Sequence, residues 1–366
     1  METTPIRRIM VLGGYGRYGQ HITHTLADIA GLKLIAAGRK PPRERRNHHS
    51  NIRYLKVDAS DPISLKSALA DVFLLINATG LFESDSDYAV ARACAEAGTH
   101  YIDLADNRDY INNFVGLAEL AEQQQVLLTT AAGASPSLSA LLVDTIKHEY
   151  DEIQDIRVYR SAGNRNPGGP ASLKALLGQI GQQIKVRQLG QWHSIATWSN
   201  SQAIRFPMPV GRRRCFCVNA PELDVLVERF NAQTVVYRIG FELGLFNLGL
   251  SLLARSRRSK GINAPEKLAR WLLRLGRMAR NFGSDNDVLG VVVRGIKDGK
   301  HIEHSAYLVA RAGAGVAIPC APALALVHKL LNEGVPGMGV ARTQDMLDFD
   351  NVRTELSRHN VVLVRV

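Results

Sequence analysis

The feature that most constrains this fold is a regular alternation of short apolar runs and helical stretches over the first 130 residues. Each run has five to seven residues and is rich in valine, isoleucine and leucine, which is typical of strands covered on both faces. Such alternation predicts a doubly wound parallel sheet, a Rossmann-type fold of the α/β class. The six predicted strands are Arg8–Gly13, Leu32–Ala37, Ile52–Val57, Val72–Ala78, His100–Leu104 and Val126–Thr130.

After Thr130 the pattern changes to longer strands, and residues 134–317 are predicted to form an α+β second domain with an antiparallel sheet. Ser135, which precedes a proline, is expected to cap the helix that opens this domain. A later helix would return the chain to the first domain, so that residues 1–133 and 318–366 belong together. The predicted strands of the second domain are Ile153–Ser161, Gln233–Ile239, Val288–Ile296 and His301–Ala310, the last two joined by a hairpin at 297–300.

Three glycines mark the turn between the first predicted strand and the helix that follows it. In the spacing Gly14-x-Gly16-x-x-Gly19, the first is expected to permit the tight turn and the second to let the backbone approach a pyrophosphate. The third lets the helix pack on the strand, and the phosphates would lie over N–H groups at the positive end of that helix. The alternative is a glycine-rich turn without a ligand, but the position within a βαβ pattern favours dinucleotide binding.

The end of the second strand distinguishes between the two nicotinamide dinucleotides. A site for NAD usually has an acidic residue there, about 20 residues after the glycines, which bonds the ribose 2′-hydroxyl. This chain instead has Arg39 and Lys40, and an arginine can hold the 2′-phosphate of NADP with two hydrogen bonds. In the alternative interpretation both are solvated loop charges ahead of the basic run 43–46. NADP(H) is therefore the predicted cofactor, with Asp58 near the adenine and residues 77–80 near the nicotinamide ribose. The predicted cofactor-binding residues are Gly13, Gly14, Gly16, Arg17, Tyr18, Gly19, Arg39, Lys40, Asp58, Asn77, Ala78, Thr79 and Gly80.

Several longer segments, in order along the chain, resemble the saccharopine dehydrogenase-like oxidoreductases. They include VLGGYGRYG, INATGLFESDSDYAVARACAEAGTHYIDLADN and TTAAGASPSLSALLVD, followed by QWHSIATWS and FPMPVGRRR. The resemblance implies a Rossmann domain interrupted by an α+β domain, a substrate cleft between the two, and hydride transfer with NADPH. True saccharopine reductases reduce an imine formed between an amino acid and an aldehyde. Residues 163–169 match the position of the substrate-binding motif but read GNRNPGG, which departs from it.

The function expected from these features is NADPH-dependent hydride transfer to a C=N, C=O or C=C bond of a small-molecule substrate. The candidate proton donors are Asp103 and Asp106, which follow the fifth predicted strand, because ligands of doubly wound sheets bind outside the strand ends. In the alternative, Asp106 or Asn107 caps the next helix. The alternative function is a non-catalytic NADP-binding redox sensor. A hydrolase triad around Ser135 is not expected, since this serine lacks the G-x-S-x-G elbow.

The net charge of +11 is concentrated in one segment of the chain. Residues 205–282 contain 15 basic and 5 acidic residues, whereas residues 1–133 contain 14 and 15. Residues 239–282 combine an apolar stretch, the basic run 255–260 and an amphipathic pattern from Pro265 onward, which is typical of a helix lying on an anionic membrane. Such a membrane-surface reductase would act on a lipid. A homodimer interface, or a core helix with a solvated basic face, is the alternative, and no nucleic acid is expected because no recognition fold accompanies the charge.

The four cysteines are too few and too scattered for a disulfide framework. They indicate a reducing, cytoplasmic location, with peripheral membrane association as a variant. No second cysteine or histidine pair has zinc-ligand spacing beside Cys215 and Cys217, so no metal site is predicted.

Overall fold

The computed structural model describes residues 7–42, 50–80, 82, 87–166, 170–260 and 282–366. The chain divides into two compact units. The first unit comprises Met1–Gly133 and Pro319–Leu347, and the second comprises Ala134–Ile318 and Asp348–Val366.

The first unit is built on a seven-stranded sheet. With strands numbered along the whole chain, its members are β1 (Arg8–Leu12), β2 (Lys33–Gly38), β3 (Ile52–Lys56), β4 (Leu74–Asn77), β5 (His100–Asp103), β6 (Leu127–Thr130) and β15 (Gly339–Arg342). They lie in the order β15-β6-β5-β4-β1-β2-β3, and every pairing is parallel. Strands that leave a central β1 in both directions form the doubly wound sheet that the apolar runs predict.

Helices cover this sheet and complete its core. They are α1 (Arg17–Ala27), α2 (Pro62–Ala68), α3 (Ala89–Glu96), α4 (Arg108–Asn113), α5 (Ala118–Gln123), α10 (Ala317–Asn332) and α11 (Thr343–Met346). The side chains of β4 are buried along its whole length, as expected for a strand covered on both faces. Helix α2 begins where the sequence indicates, since the Asp61 carboxylate accepts the N–H of Ile63 and a proline occupies the first helical position.

The second unit contains a mixed sheet. Its strands are β7 (Glu152–Ala162), β8 (Gln183–Gln188), β9 (Gln191–Ala196), β10 (Gln202–Arg205), β11 (Arg212–Cys217), β12 (Thr234–Phe241), β13 (Asp287–Lys297), β14 (Lys300–Ala310) and β16 (Val361–Arg365). The main path runs β10-β11-β12-β7-β13-β14-β16, with β8 paired to β12 and to β9. The pairings are antiparallel, as predicted, except that β12 and β7 run parallel. The predicted hairpin joins β13 to β14 through Asp298 and Gly299, which both have positive φ.

Two helices of the second unit begin later than the sequence suggested. Its helices are α6 (Ser139–Asp144), α7 (Pro170–Gln179), α8 (Glu222–Phe230), α9 (Gly244–Lys260) and α12 (Phe349–Arg358). The N-cap residue of α6 is Leu138, and the Ser135 hydroxyl bonds the Glu222 carboxyl group, so Ser135 does not cap α6. The apolar stretch at the start of residues 239–282 is a strand as far as Phe241, because it pairs with β7, and becomes helical only at Gly244.

The expectation that residues 318–366 all return to the first domain is wrong beyond Leu347. β15 does add to the first sheet beside β6. Strand β16, however, pairs with β14 over residues 306–310 and so extends the second sheet. A short strand of this kind carries no sequence signal that tells which sheet edge it will join.

Two segments bear on the predicted membrane contact. Most of the amphipathic pattern from Pro265 onward lies outside the described residues. Within the described part of the chain, one helical segment, Ala314–Asn332, is long and apolar enough to cross a bilayer, and 72% of its apolar window is buried, as in the core helix of a soluble protein.

Candidate cofactor-binding site

The turn after β1 depends on two glycines for different reasons. Gly13 has φ +80°, and a Cβ there would lie 2.8 Å from the carbonyl of Ala78. Its N–H donates to the carbonyl oxygen of Ala37 at 2.8 Å. Gly14 has no left-handed φ, but a Cβ on it would come within 2.8 Å of the Val11 carbonyl oxygen. The tight turn therefore rests on Gly13 and not on Gly14, which must instead be small because the backbones of β1 and β2 close behind it.

The N-terminus of α1 has the features of an anion site. Gly16 is the N-cap residue, so no side chain caps the helix, and the first turn contains no acidic residue. A Cβ on Gly16 would meet only the Gly13 carbonyl oxygen, at 3.1 Å, so the space beside this residue is otherwise open. A Cβ on Gly19 would lie 2.3 Å from that same oxygen, because the helix packs directly on the turn. Backbone N–H groups and the positive helix end, with Arg17 and Tyr18 in the first turn, suit a phosphate group.

The residues predicted to bind the 2′-phosphate follow β2, and Asp58, predicted to lie near the adenine, follows β3. Arg39 and Lys40 directly follow β2 and are exposed. The Asp58 carboxylate accepts the N–H of Ser60 at 3.1 Å and its hydroxyl at 2.7 Å. These two hydrogen bonds hold the pKa of Asp58 below its usual value, and the charges of Arg39 and Lys56 lower it further. Arg39 and Asp58 are thus close enough to interact at one edge of the sheet.

Tyr15, which the sequence analysis did not select, fixes the backbone at this edge. Its hydroxyl lies 3.0 Å from the carbonyl oxygen of Ala36 and 2.7 Å from that of Leu55, so it bridges β2 and β3. A Cβ on Gly38 would lie 2.9 Å from the Tyr15 ring, which covers this glycine. Burial raises the pKa of Tyr15 to about 12, so the hydroxyl keeps its proton for donation. The sequence signal that could have indicated Tyr15 is Gly38 at the end of β2, since a glycine leaves room for an aromatic ring.

Asn77 turns inward and organises the loop after β4. The side chain is buried, and its amide donates to the Tyr101 hydroxyl at 3.0 Å. Its carbonyl oxygen accepts the N–H and the hydroxyl of Thr79 at 3.2 and 2.8 Å. Ala78 lies against Gly13, and Gly80 has φ +70°. The segment 77–80 thus lies beside the glycine turn, with Ala78 and Thr79 half-buried and Gly80 exposed. Its place near the nicotinamide ribose stays a prediction.

The Asp103 side chain, at the end of β5, forms hydrogen bonds that connect this strand to the turn after β6. It is completely buried, and its Oδ1 accepts the N–H of Ala131 at 2.9 Å, the N–H of Ala105 at 3.0 Å and the hydroxyl of Thr130 at 2.9 Å. Ala131 is left-handed, with φ +65°, so this carboxyl group holds a turn that a non-glycine residue rarely adopts. Burial raises the pKa of Asp103 to about 6, although these hydrogen bonds act in the opposite direction.

The second predicted acid lies in a different environment. Asp106 is exposed, three residues beyond the end of β5. Asn107, and not Asp106, caps α4, since its side-chain oxygen accepts the N–H of Tyr110 at 2.9 Å. The structure therefore brings Asp103 and Asp106 to the same strand end, one facing the core and the other solvent.

A second buried carboxyl group belongs to the second unit. Glu222, at the start of α8, is completely buried, and its two oxygens contact Ser135 Oγ at 2.5 Å and Ser139 Oγ at 2.8 Å. Ser139 Oγ also lies 2.7 Å from the carbonyl oxygen of Pro136. Because a hydroxyl has one proton and a carbonyl can only accept, Ser139 donates to Pro136 when the carboxyl group donates to Ser139. Burial raises the pKa of Glu222 to about 7, which agrees with a protonated group. Ser135 is thus engaged by a buried carboxyl group.

Two carboxylates anchor the loop that the resemblance places near the substrate. Glu242 accepts the N–H groups of Asn164 and Ser284, both at 2.8 Å, and pairs with Arg213 at 2.9 Å. Burial alone would raise the pKa of Glu242, but these contacts bring it below its usual value. Asp287 accepts the N–H of Gly163 at 2.8 Å. The described part of the loop, 163–166, is therefore held by charged groups distant in sequence, and residues 167–169 lie outside the described residues.

No metal centre accompanies these sites in the part of the chain that the structure describes, where no group of three or more histidine, cysteine or acidic side chains could hold an ion. The four cysteines, Cys94, Cys215, Cys217 and Cys320, are buried free thiols. Burial raises the pKa of Cys215 to about 12, so this thiol is neutral at ordinary pH.

Comparison with known proteins supports this interpretation of the first unit. Residues 9–132 match the family described as the saccharopine dehydrogenase NADP binding domain. A protein of Arabidopsis thaliana, named a probable mitochondrial saccharopine dehydrogenase-like oxidoreductase, is 26% identical over 146 residues. That alignment covers 35% of this chain and 32% of the relative, so the match spans about a third of each protein.

Solved structures show the same fold over nearly the whole chain. Saccharopine dehydrogenase (L-Glu forming) from Saccharomyces cerevisiae superposes with a TM-score of 0.69 at 13% identity, covering 98% of this chain and 99% of that one. An engineered D-amino acid dehydrogenase bound to NADP+ superposes with a TM-score of 0.50 at 11% identity, covering 95% and 98%. At these identities the likeness establishes the fold.

The fold and the site define a two-domain protein whose first domain is a Rossmann-type dinucleotide-binding domain. Residues 9–132 of that domain match the saccharopine dehydrogenase NADP-binding family, and the whole chain shares the fold of saccharopine dehydrogenase. NADP(H) is the cofactor of this domain.

Proposed function

We propose that this protein is an oxidoreductase that uses NADPH to reduce a C=N, C=O or C=C bond of a small organic substrate. The observation that carries the proposal is the glycine turn at the uncapped, acid-free N-terminus of α1. It offers backbone donors and no competing carboxylate to a pyrophosphate. NADPH, when bound, would supply the hydride.

The charge at the edge formed by β2 and β3 supports NADPH over NADH. Arg39 is exposed, and the Tyr15 hydroxyl fixes the end of β2, which Arg39 directly follows. The carboxylate of Asp58 is held by Ser60, so it does not occupy the position directly after β2 where an acid would repel a 2′-phosphate. In this proposal Arg39 binds the 2′-phosphate and Lys40 adds to the local positive potential.

We assign Asp103 a positioning role in the reaction and leave Asp106 as the candidate proton donor. Asp103 is closed off from solvent and serves three donors with one oxygen, so it shapes the turn at Ala131 without reaching a substrate. Asp106 is exposed at the same strand end and can meet a bound molecule.

The test has two stages. The affinities for NADPH and NADH are first measured by calorimetry, and we expect NADPH to bind at least tenfold more tightly, since a charge-assisted hydrogen bond contributes about 1.5–3 kcal/mol. NADPH oxidation is then followed with panels of imines, ketones and enoyl compounds. Equal affinity for the two cofactors would refute the assignment of Arg39. Tight NADPH binding without turnover on any panel would favour the redox-sensor alternative instead.

A second candidate function is a reductase that works at a membrane surface on a lipid. The observation that favours it is on α9, where Leu245, Leu248 and Leu252 are exposed at three- and four-residue spacing. The competing expectation is that a second copy of the chain covers these leucines. Light scattering measures the mass in solution, and a concentration-independent monomer would exclude the dimer.

A further inference from the structure

A cavity in the second unit is lined by none of the residues used in the proposed reaction. It has a volume of about 570 Å³, and its floor is formed by Trp198 and Phe216. The two rings stack with centroids 4.9 Å apart and planes 6° apart. The backbone N–H of Trp198 donates to the Cys217 carbonyl oxygen at 2.7 Å, so the floor is fixed to the sheet. Both aromatic side chains are almost entirely buried.

The rim of this cavity is polar and positively charged. It contains the hydroxyl groups of Ser199, Ser201 and Ser251 and the guanidinium group of Arg255. Arg214 joins it from β11, because its Nη1 donates to Ser201 Oγ at 3.0 Å. Hydroxyl and guanidinium groups in this arrangement suit the oxygen atoms of a phosphate.

More arginines extend the charge along one face of the β10–β11 hairpin. Residues 212, 214 and 216 share a face of β11 because side chains alternate along a strand. The register places Arg205 directly opposite Arg212. Like charges in this arrangement repel each other, which lowers the stability of the hairpin. Among the described residues no carboxylate pairs with Arg205, Arg212, Arg214 or Arg255, so an anion from outside the chain is the matching partner.

An apolar surface borders the same rim. On α9, Leu248 lies three residues before Ser251, and Leu252 lies three residues before Arg255, so each leucine is the helical neighbour of a rim residue. Leu248 and Leu252 are 55% and 59% exposed. The opposite side of α9 is buried and holds the helix on its own domain.

We propose that this surface docks on an anionic phospholipid bilayer, with a lipid phosphate bound by Arg214, Arg255 and the serine hydroxyls and with the α9 leucines entering the interface. The inference rests on the second candidate function above and gives it a headgroup site. Cations beside apolar side chains are the combination that anionic interfaces bind. Single-stranded nucleic acid is the weaker match, because the two aromatic rings stack on each other beneath the surface and offer no platform to bases.

The test is co-sedimentation of the full chain, without NADPH or substrate, with phosphatidylcholine vesicles and with vesicles that contain about one third phosphatidylglycerol. We expect binding to the anionic vesicles only, lost at high salt. The double variant Arg212→Gln and Arg214→Gln should weaken it by about tenfold or more, since each basic residue near an anionic surface contributes roughly fivefold. A matched control, Lys300→Gln with Arg311→Gln, removes two exposed charges elsewhere in the unit and should leave binding unchanged.

The leucines are tested separately. Leu248→Ser with Leu252→Ser should weaken sedimentation with anionic vesicles at both low and moderate salt, because the apolar contribution is not screened. Quenching of tryptophan fluorescence by brominated acyl chains gives a second measurement on the unmodified protein. The proposal fails if the wild type stays in the supernatant with anionic vesicles at low salt, or if the arginine variant sediments like the wild type.

A soluble phosphate compound is the alternative source of the same chemistry. Calorimetry with glycerol phosphate tests this alternative. The bilayer proposal would be overturned in favour of a soluble ligand if glycerol phosphate binds in an arginine-dependent way and the leucine variant binds vesicles as the wild type does. Because no step of this experiment uses turnover, its failure would leave the proposed hydride transfer untouched.

Discussion

The buried acid Glu222 makes a specific prediction about pH and stability. Its pKa rises from 4.5 to about 7 in the folded protein because burial disfavours the charged form. The folded state therefore holds a proton between these values that the unfolded chain releases. By linkage, the free energy of unfolding falls as the pH rises from about 4.5 to about 7, and this one group accounts for about 3 kcal/mol of the loss.

The substitution Glu222→Gln should remove this part of the pH dependence. A glutamine amide can donate to Ser139, which then donates to the Pro136 carbonyl, while the amide oxygen accepts from Ser135. The variant thus imitates the protonated acid at every pH. We expect it to match the wild type within about 1 kcal/mol near pH 5 and to exceed it by about 3 kcal/mol at pH 8.

Urea denaturation at pH 5, 6, 7 and 8 measures the difference, with tryptophan fluorescence as the probe. All three tryptophans fall within the second unit, so the signal follows the domain that contains Glu222. Glu228→Gln, an exposed acid on the same helix, is the matched control and should keep the wild-type slope. Parallel pH profiles for the wild type and Glu222→Gln would refute the argument, because they would mean that the buried group is ionised throughout.

Three further predictions concern the first domain. Gly16→Val should abolish binding of both NADPH and NADH in calorimetry, because the valine side chain would occupy the open space that a phosphate needs beside this residue. Full retention of binding would mean that the turn holds no ligand. Arg39→Asp should weaken NADPH binding by about 1.5–3 kcal/mol and spare NADH, whereas Arg53→Asp on β3 should change neither. Asp103→Asn, measured by thermal unfolding followed by circular dichroism, should be at least as stable as the wild type at pH 7.5, since the folded pKa near 6 makes the ionised acid unfavourable by then. Asp103→Ala removes the acceptor of three hydrogen bonds and should lower the free energy of unfolding by about 2–3 kcal/mol. Equal stability of the two variants would contradict the role of Asp103 in holding the turn.

The first domain could be predicted from sequence because its information is local. Strands β1 and β4 are buried throughout or nearly so, and they read as continuous apolar runs. The glycine pattern added the position of the turn. It did not identify which glycine takes the left-handed conformation, because Gly13 and Gly14 are adjacent and both donate to the Ala37 carbonyl oxygen. Only the backbone of the folded chain, with its positive φ at Gly13, distinguishes them.

The second domain was harder to predict from sequence because the contacts that determine its structure join residues far apart in the chain. The strands of the β13–β14 hairpin were predicted correctly, since a two-residue turn can be recognised from its own residues. The placement of β16 beside β14 has no such signal. Glu222 was missed for a related reason, since an acid in the first turn of a helix is ordinary, and its burial depends on Ser135 and Ser139, more than eighty residues earlier.

The two acids at the end of β5 illustrate what a strand-end position can and cannot tell. Position alone made Asp103 and Asp106 equivalent candidates, because both follow the strand where ligands of doubly wound sheets bind. The hydrogen bonds to the turn after β6 distinguish the two acids. Ala131 adopts φ +65° and needs an acceptor for its buried N–H, and the backbone oxygen of Asp103 accepts the next N–H, from Ala132, at 2.7 Å. Asp103 therefore serves the turn with both its side chain and its backbone, whereas Asp106, three residues further on, is exposed to solvent.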